Sequence, residues 1–189
     1  MSEPKIQFIP FQSRLDEAWA EAWELYENSF PACERWNGND YDRAFTDPLF
    51  EADAIRYDGR FAGILFHWKG DGFHYVEHLA VSPLLRGQNI GSRALEAFCE
   101  GRRVILEIDP PEDEISIRRL RFYERLGFAA NPHAYIHPSF RRPFQPHRLV
   151  LMSRPGALSD DEARRFADFI REQVLRYSEH ERPELPRID

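Results

Sequence analysis

Six consecutive residues, Arg86-Gly87-Gln88-Asn89-Ile90-Gly91, combine a cation, two glycines and an asparagine where a strand gives way to a helix. The strand is Tyr75–Val81, rich in β-forming residues and bounded by Pro83. The helix is Ser92–Cys99, with Ala94, Leu95 and Phe98 at helical spacing. A helix N-terminus reached through a glycine-containing turn gathers backbone N–H groups that have no intrahelical partner. It also carries the positive end of the helix dipole, and Arg86 adds a full charge. The chemistry this suits is pyrophosphate binding. A Walker loop is excluded, because no Gly-Lys-Ser/Thr run follows the strand. A GxGxxG dinucleotide turn is excluded too, because three residues separate Gly87 from Gly91. On these residues alone an ordinary strand-to-helix connection fits equally well. Within the strand, Glu77 places a carboxylate where burial is costly unless the group is paired or faces a cleft.

The elements around this turn follow from pattern. Lys5–Phe11 alternates as a first strand, and Ser13 is placed to cap a helix running to about Asn28 with Leu15, Ala18, Trp19, Ala22, Leu25 and Tyr26 as its buried stripe. Ser29–Pro48 is a long connection punctuated by Pro, Gly, Asn and Asp, with one helical turn at Asp40–Phe45. Glu51–Tyr57 and Phe61–Trp68 form a hairpin about Asp58-Gly59, and Lys69-Gly70-Asp71-Gly72 turns into the strand Phe73–Val81. Val104–Ile108 is a short buried strand stopped by Pro110-Pro111. Ile115–Leu126 is helical, with Gly127 at the left-handed cap position. This strand–helix–strand–helix run implies a parallel pair. Asn131–His147, rich in Pro, His, Arg and aromatics, covers a site, and Arg148–Ser153 is a last strand. A capping box, Ser159-x-x-Glu162, opens a helix to about Tyr177, with Ala163, Phe166, Ile170 and Tyr177 on one face. One domain spans residues 1–177, and 178–189 is expected to fray.

The 189 residues are enough for one domain with a sizeable core, and 42 % hydrophobic with 30 % charged residues is a globular balance. A net charge of −7 argues against nucleic acid as a partner and is compatible with a cationic or amine substrate. Cys33 and Cys99 form no disulfide framework, so a reducing cytoplasm is expected. No signal peptide heads the chain, and no apolar run approaches the roughly 18 residues of a membrane span. His133, His137 and His147 lack a His-x-x-x-His helix or cysteine partners, so no metal is expected.

The turn resembles the acyl-CoA loop of the GNAT superfamily of N-acetyltransferases, whose pattern is Gln/Arg-x-x-Gly-x-Gly/Ala. Here it reads Arg86-x-x-Asn89-x-Gly91. Asn89 stands where the pattern has glycine, and asparagine is among the residues that best tolerate a left-handed backbone. The run Tyr123-Glu124-Arg125-Leu126-Gly127-Phe128 resembles the superfamily's second hallmark, a helix ending in Tyr-x-x-x-Gly-Phe. The resemblance covers Tyr75–Phe128, and the flanks Phe30–Arg35, Leu106–Pro111 and Tyr135–Pro138 are similar to one bacterial branch. It implies an α/β (α+β) fold, a mixed, mostly antiparallel sheet of about six to seven strands flanked by helices. In it the central parallel strands Phe73–Val81 and Val104–Ile108 splay apart at their C-terminal ends. It further implies that acetyl-CoA is the co-substrate. Its pantetheine arm would lie against Leu79, Ala80 and Val81, and its pyrophosphate on the N–H groups from Gly87 through Gln88, Asn89, Ile90 and Gly91 to Ser92, beside Arg86. A strand amide near Leu79 or Ala80 would meet the acetyl carbonyl.

The resemblance also implies roles. Acetyl transfer to a small-molecule or peptide amine needs a proton acceptor and an acid for the departing thiolate. Tyr123 is the candidate acid, since a phenol near pKa 10 is matched to an alkyl thiol. Glu77 is the candidate base, directly or through water, and His78 competes with it. In a regular strand Glu77 faces with Tyr75 and Leu79 while His78 faces the other way, and a bulge, common in this strand of the family, would exchange those faces. The aromatics Phe30, Trp36, Tyr41, Phe45, Tyr135 and Phe140 are candidates for an acceptor pocket, and one of Arg118, Arg119 and Arg121 could reach a CoA phosphate. Such folds also form homodimers. The alternatives are a non-catalytic acyl-CoA-binding or interaction module, suggested by Asn89, and a transferase for a longer acyl donor.

Overall fold

The computed structural model describes residues 5–85, 87–179 and 184–188. The chain opens with β1 (Ile6–Pro10), α1 (Trp19–Ser29) and α2 (Gly38–Ala44). A meander follows, β2 (Phe50–Tyr57), β3 (Arg60–Gly70) and β4 (Phe73–Val81). The β2–β3 turn is made by Asp58 at φ +52° and Gly59 at φ +76°, the left-handed pair that matches the twist of a tight hairpin. After β4 come α3 (Ile90–Cys99), β5 (Val104–Ile108), α4 (Glu114–Arg125), β6 (Ala129–Ala130), β7 (Tyr135–Pro138) and β8 (Pro146–Arg154). α5 (Asp160–Phe169) starts in the expected capping box and runs on as a wider turn, Ile170–Val174, and a tighter one, Leu175–Tyr177. β9 (Arg187–Ile188) is last.

These strands make one sheet in the order β1-β2-β3-β4-β5-β8-β7-β9, with β6 also on β8. Every neighbouring pair is antiparallel except β4 and β5, which α3 joins as a crossover. The mixed, mostly antiparallel sheet with one parallel pair is the expected class, with nine strands among the described residues rather than six or seven. The additions are short pieces, β6, β7 and β9, that period-2 patterning resolves poorly. The sheet buries a core on each face. Trp19, Tyr26, Trp36, Tyr41, Phe66, Trp68 and Phe166 fill the side of α1, α2 and α5, and Val76, Leu95, Phe98, Leu106 and Phe128 fill that of α3 and α4.

Two irregularities in β4 shape the centre. Its pairing with β5 registers His74↔Val104, Tyr75↔Ile105 and Val76↔Leu106 and stops there, so the strands part beyond that rung. On the other edge the register jumps from His67↔Val76 to Phe66↔His78, which leaves Glu77 as a bulge residue without a partner.

Two expectations fail at the chain ends. α1 begins at Trp19 and not near Ser13, and Leu15 is 94 % exposed. Asp16 accepts from the backbone N–H groups of Gln12 and Ser13 and holds that stretch in turns. Near the C-terminus, Arg187 and Ile188 pair with Ile136 and Tyr135 and Leu185 is buried, where fraying was expected.

Candidate active site

The opening between β4 and β5 leads into a cavity of ≈ 270 Å³. One wall is the end of α1 and the turn Ala32–Glu34, and the other is the β7–β8 end with its following loop. The two lips touch, since the Phe140 N–H donates to the Cys33 carbonyl at 2.8 Å. Glu77 and His78 line the floor together with Leu79, Leu106 and Glu107, and Tyr123 reaches it from α4.

The bulge decides how the floor is lined. In regular alternation only one of Glu77 and His78 could face this side. With the extra residue at 77, Glu77 turns to Trp68 and His78 to Tyr26 and Phe30, all on the α1 side, while Val76 and Leu79 pack toward α3 and α4. So the competing pair is brought together.

The Glu77 side chain is 1 % exposed. Its Oε2 accepts from the Trp68 indole N–H at 3.0 Å, and its Oε1 is buried without a partner. Burial, opposed by the Trp68 hydrogen bond and helped by the charge of Glu107, pushes its pKa up to about 8. The His78 ring is buried as well, and burial pulls its pKa down to about 4, against the contact with the Glu34 carbonyl. That contact, 3.0 Å from Nε2 to the Glu34 oxygen, fixes the tautomer. A carbonyl only accepts, so Nε2 carries the proton and Nδ1 is a bare lone pair, buried and without a hydrogen-bond partner.

Tyr123 is held by its own helix end. Gly127, at φ +81°, lets the Phe128 N–H reach the Tyr123 carbonyl (3.1 Å) and the Gly127 N–H reach that of Glu124 (3.0 Å). This is a Schellman cap, the physical content of the Tyr-x-x-x-Gly-Phe spacing. The ring is wedged edge-on against Phe122 and Phe128. Burial raises its phenol above the ordinary value, with Arg119 opposing.

The turn before α3 has the backbone its sequence pattern calls for. Gly87 sits at φ +81° and Asn89 at φ +56°, ψ +22°, so asparagine adopts the left-handed conformation that the pattern assigns to glycine. The first helical bond of α3 runs from the Arg93 N–H to the Asn89 carbonyl at 3.0 Å, leaving the N–H groups of Ile90, Gly91 and Ser92 ahead of the ladder. Beyond Val76 the β5-facing edge of β4, Glu77 to Val81 with Leu79, Ala80 and Val81, has no strand beside it. These groups fit the amides and phosphates of a CoA. Arg86 lies outside the described residues, and Gln88 is exposed.

A family model described as the acetyltransferase (GNAT) family matches residues 15–128. The chain belongs to the GNAT acetyltransferase family. A Bacteroides thetaiotaomicron protein assigned to the same family has 31 % identity and a TM-score of 0.77, over 87 % of this chain and 96 % of that one. Two more distant structures share the fold. A Bacillus subtilis acetyltransferase in complex with CoA has 16 % identity and a TM-score of 0.54, over 80 % of this chain and 97 % of that one. A GNAT acetyltransferase from Elizabethkingia anophelis with acetyl-CoA bound has 14 % identity and a TM-score of 0.54, over 78 % of this chain and 96 % of that one. A comparison with curated proteins gives no match.

Against the GNAT frame the other candidates sort by contact. Phe30 and Phe140 line the cavity, whereas Trp36, Tyr41 and Tyr135 belong to the buried core and Phe45 packs on it. Arg119 lines the cavity but is spent on Asp109, 2.7 Å away. Cys99 is a core residue, its thiol pushed up to about 11 by burial. Among the described residues no group of three or more His, Cys, Asp or Glu side chains is arranged to hold a metal, and no helix is long and apolar enough to cross a membrane.

Sequence reasoning passed over Trp68, which orients Glu77, and Glu107, whose Oε2 accepts from the Tyr75 hydroxyl at 3.0 Å. The Glu107 signal was present. A carboxylate inside the apolar run VILEI is as costly as Glu77 inside β4.

Proposed function

We propose that this protein transfers the acetyl group of acetyl-CoA to the nitrogen of a primary amine by direct attack. The observation that carries the reading is that Glu77 and Tyr123, from different elements, line one cavity at the parting of β4 and β5. Acetyl-CoA supplies the thioester whose carbonyl carbon forms the new C–N bond as its C–S bond breaks. Glu77 takes one proton from the incoming ammonium, which frees the nitrogen lone pair. A carboxyl poised at about 8 is a far better acceptor for an amine proton than one at its ordinary 4.5. Tyr123 gives its phenolic proton to the departing sulfur and regains one from the nitrogen of the new amide, so the turnover releases a single proton overall, through Glu77. His78, 3.9 Å from the Glu77 carboxylate and pulled down to about 4 by burial, is the weaker base of the two. The N–H groups of Ile90, Gly91 and Ser92 hold the pyrophosphate, and the free edge of β4 at Leu79, Ala80 and Val81 holds the pantetheine arm. Residues 1–177 act as one catalytic domain, and the two free cysteines suit a cytoplasmic enzyme.

The non-catalytic reading rested on Asn89, and Asn89 has the backbone of the glycine it replaces. A thermal melt with excess acetyl-CoA, ATP or NAD tests the ligand, and CoA release with mixed pools of amines, amino acids and peptides tests the reaction. Acetyl-CoA at about 100 times its Kd adds roughly 2.7 kcal/mol, a shift on the order of 5–10 °C, with none from the other two. Tight acetyl-CoA binding with no CoA release from any pool would restore the non-catalytic module.

A further inference from the structure

The cavity floor is short of hydrogen-bond donors. Five buried atoms of its lining have no hydrogen-bond partner: Glu77 Oε1, Glu107 Oε1, His78 Nδ1, His137 Nε2 and His147 Nε2. Glu107 Oε1, His78 Nδ1 and His137 Nε2 are acceptors, and Glu77 Oε1 becomes one when its carboxyl loses its proton. The tautomer of His78 is set by the Glu34 carbonyl, and that of His137 by its Nδ1 contact to the Pro138 carbonyl at 2.6 Å, so each ring turns a lone pair to the cavity. The Tyr75 hydroxyl is already committed to Glu107 Oε2, and Arg119 to Asp109. Buried polar groups of this kind are normally satisfied, and the Tyr135 hydroxyl beside Glu107 is one donor, too few for all of them. The missing partner therefore brings several N–H donors and positive charge.

Glu77 and Glu107 are also spaced as a pair. They occupy the first positions past the last paired rung, Val76↔Leu106, and face the same side of the sheet, Glu77 toward Trp68 and Glu107 toward Tyr75. Neighbouring strands lie about 4.8 Å apart, and these two diverge from that point. A small molecule with two cationic groups a few bonds apart can thus meet both carboxylates at once, one ammonium to each. The joined lips at Cys33 and Phe140 further favour a small acceptor over a folded protein surface.

Building on the acetyltransferase reading, we infer that the acceptor is a short aliphatic diamine or the end of a polyamine. Its reacting nitrogen lies at Glu77 and its second ammonium is held by Glu107. Glu107 is then the residue that determines specificity, because a monoamine leaves its Oε1 without a cationic partner.

The test is CoA release at saturating acetyl-CoA with chain-matched probes: 1-aminopropane against 1,3-diaminopropane, and 1-aminobutane against 1,4-diaminobutane. A peptide with a free N-terminus is run in parallel. A lost charge-assisted hydrogen bond is worth on the order of 10- to 100-fold, so at least one diamine should exceed its monoamine in kcat/KM by that factor. In E107Q the diamine-to-monoamine ratio collapses, mainly through the KM of the diamine, and E107D recovers part of it. Equal kcat/KM for mono- and diamines in the wild-type enzyme, or a ratio that survives E107Q, overturns the inference. Turnover of the peptide with none of any diamine also overturns it and leaves acetyl transfer standing. No turnover of any amine by enzyme that binds acetyl-CoA overturns both.

Discussion

The sheet carries two buried acid–histidine groups, and they are built oppositely. On β2 and β3, His67 Nε2 lies 3.3 Å from Glu51 and 3.5 Å from Asp53, with Lys69 on Glu51 at 3.0 Å. Burial works to lower the His67 pKa, but hydrogen bonds to Asp53 and Glu51 leave it raised, and the His67 contact takes Glu51 down to about 2 despite burial. Each group stabilises the charge of the other. On β4, burial dominates both members, driving Glu77 up to about 8 and His78 down to about 4, with ring and carboxylate 3.9 Å apart. Each is pushed toward its neutral form, and each keeps a buried polar atom without a hydrogen-bond partner, Glu77 Oε1 and His78 Nδ1. The first arrangement pairs its charges within the protein, with His67 Nδ1 alone left without a hydrogen-bond partner. The second leaves its carboxyl and its ring lining an open cavity, the arrangement that the proposed reaction would use.

Breaking the two groups should therefore give different losses. Glu77→Gln keeps the shape and the Trp68 contact but removes the base, so kcat is expected to fall by roughly 10²–10⁴, with acetyl-CoA binding by calorimetry retained. Tyr123→Phe should fall in the same range if it protonates the thiolate, and unchanged kcat at saturating acetyl-CoA would remove it from the mechanism. His67→Ala should do the reverse. It leaves Asp53 buried without its partner, a loss of about 3–5 kcal/mol read as a Tm lower by on the order of 10 °C, while kcat of the folded enzyme is unchanged.

The comparison sharpens with pH. The carboxyl of Glu77 is raised in the folded state from 4.5 to about 8, so the folded protein binds that proton more tightly than the unfolded chain. The stability it contributes is complete below about pH 4.5 and is lost as pH rises toward 8. Glu77→Gln cannot lose it. The variant should match the wild type in Tm near pH 5 and exceed it at pH 8, by on the order of 2–4 kcal/mol in stability. A difference that does not change with pH would mean that the carboxyl is not perturbed. The smallest effect is expected at the cradle. Asn89→Ala removes the polar side chain that lets asparagine tolerate φ +56° and should cost about 1 kcal/mol together with acetyl-CoA affinity, whereas Asn89→Gly should preserve both.

Much of this was legible in the residues, and the failures have physical causes. The strand–turn–helix at Gly87–Gly91, the hairpin at Asp58-Gly59, the caps at Ser159 and Gly127 and the parallel pair all follow from local chemistry. What local chemistry could not give was the face of each β4 residue. Alternation sends Glu77 and His78 to opposite sides, and only the mismatch with β3 at Phe66 and His67 brings them together. Leu15 fits the helical period of α1 yet lies before the helix, because the Asp16 carboxylate takes the backbone donors of Gln12 and Ser13. Glu107 escaped notice because its meaning depends on Tyr75 and Glu77, which are distant in sequence and adjacent only across the parting strands.

The most direct test of the account is the pH dependence of kcat/KM for CoA release from acetyl-CoA with the mixed amine pool, wild type beside Glu77→Gln. The account predicts a wild-type rate that rises through about pH 8 and a variant that is slow and lacks that rise. A variant with the wild-type rate and profile would contradict it, and the proton would then have to leave the amine by a route that does not involve Glu77.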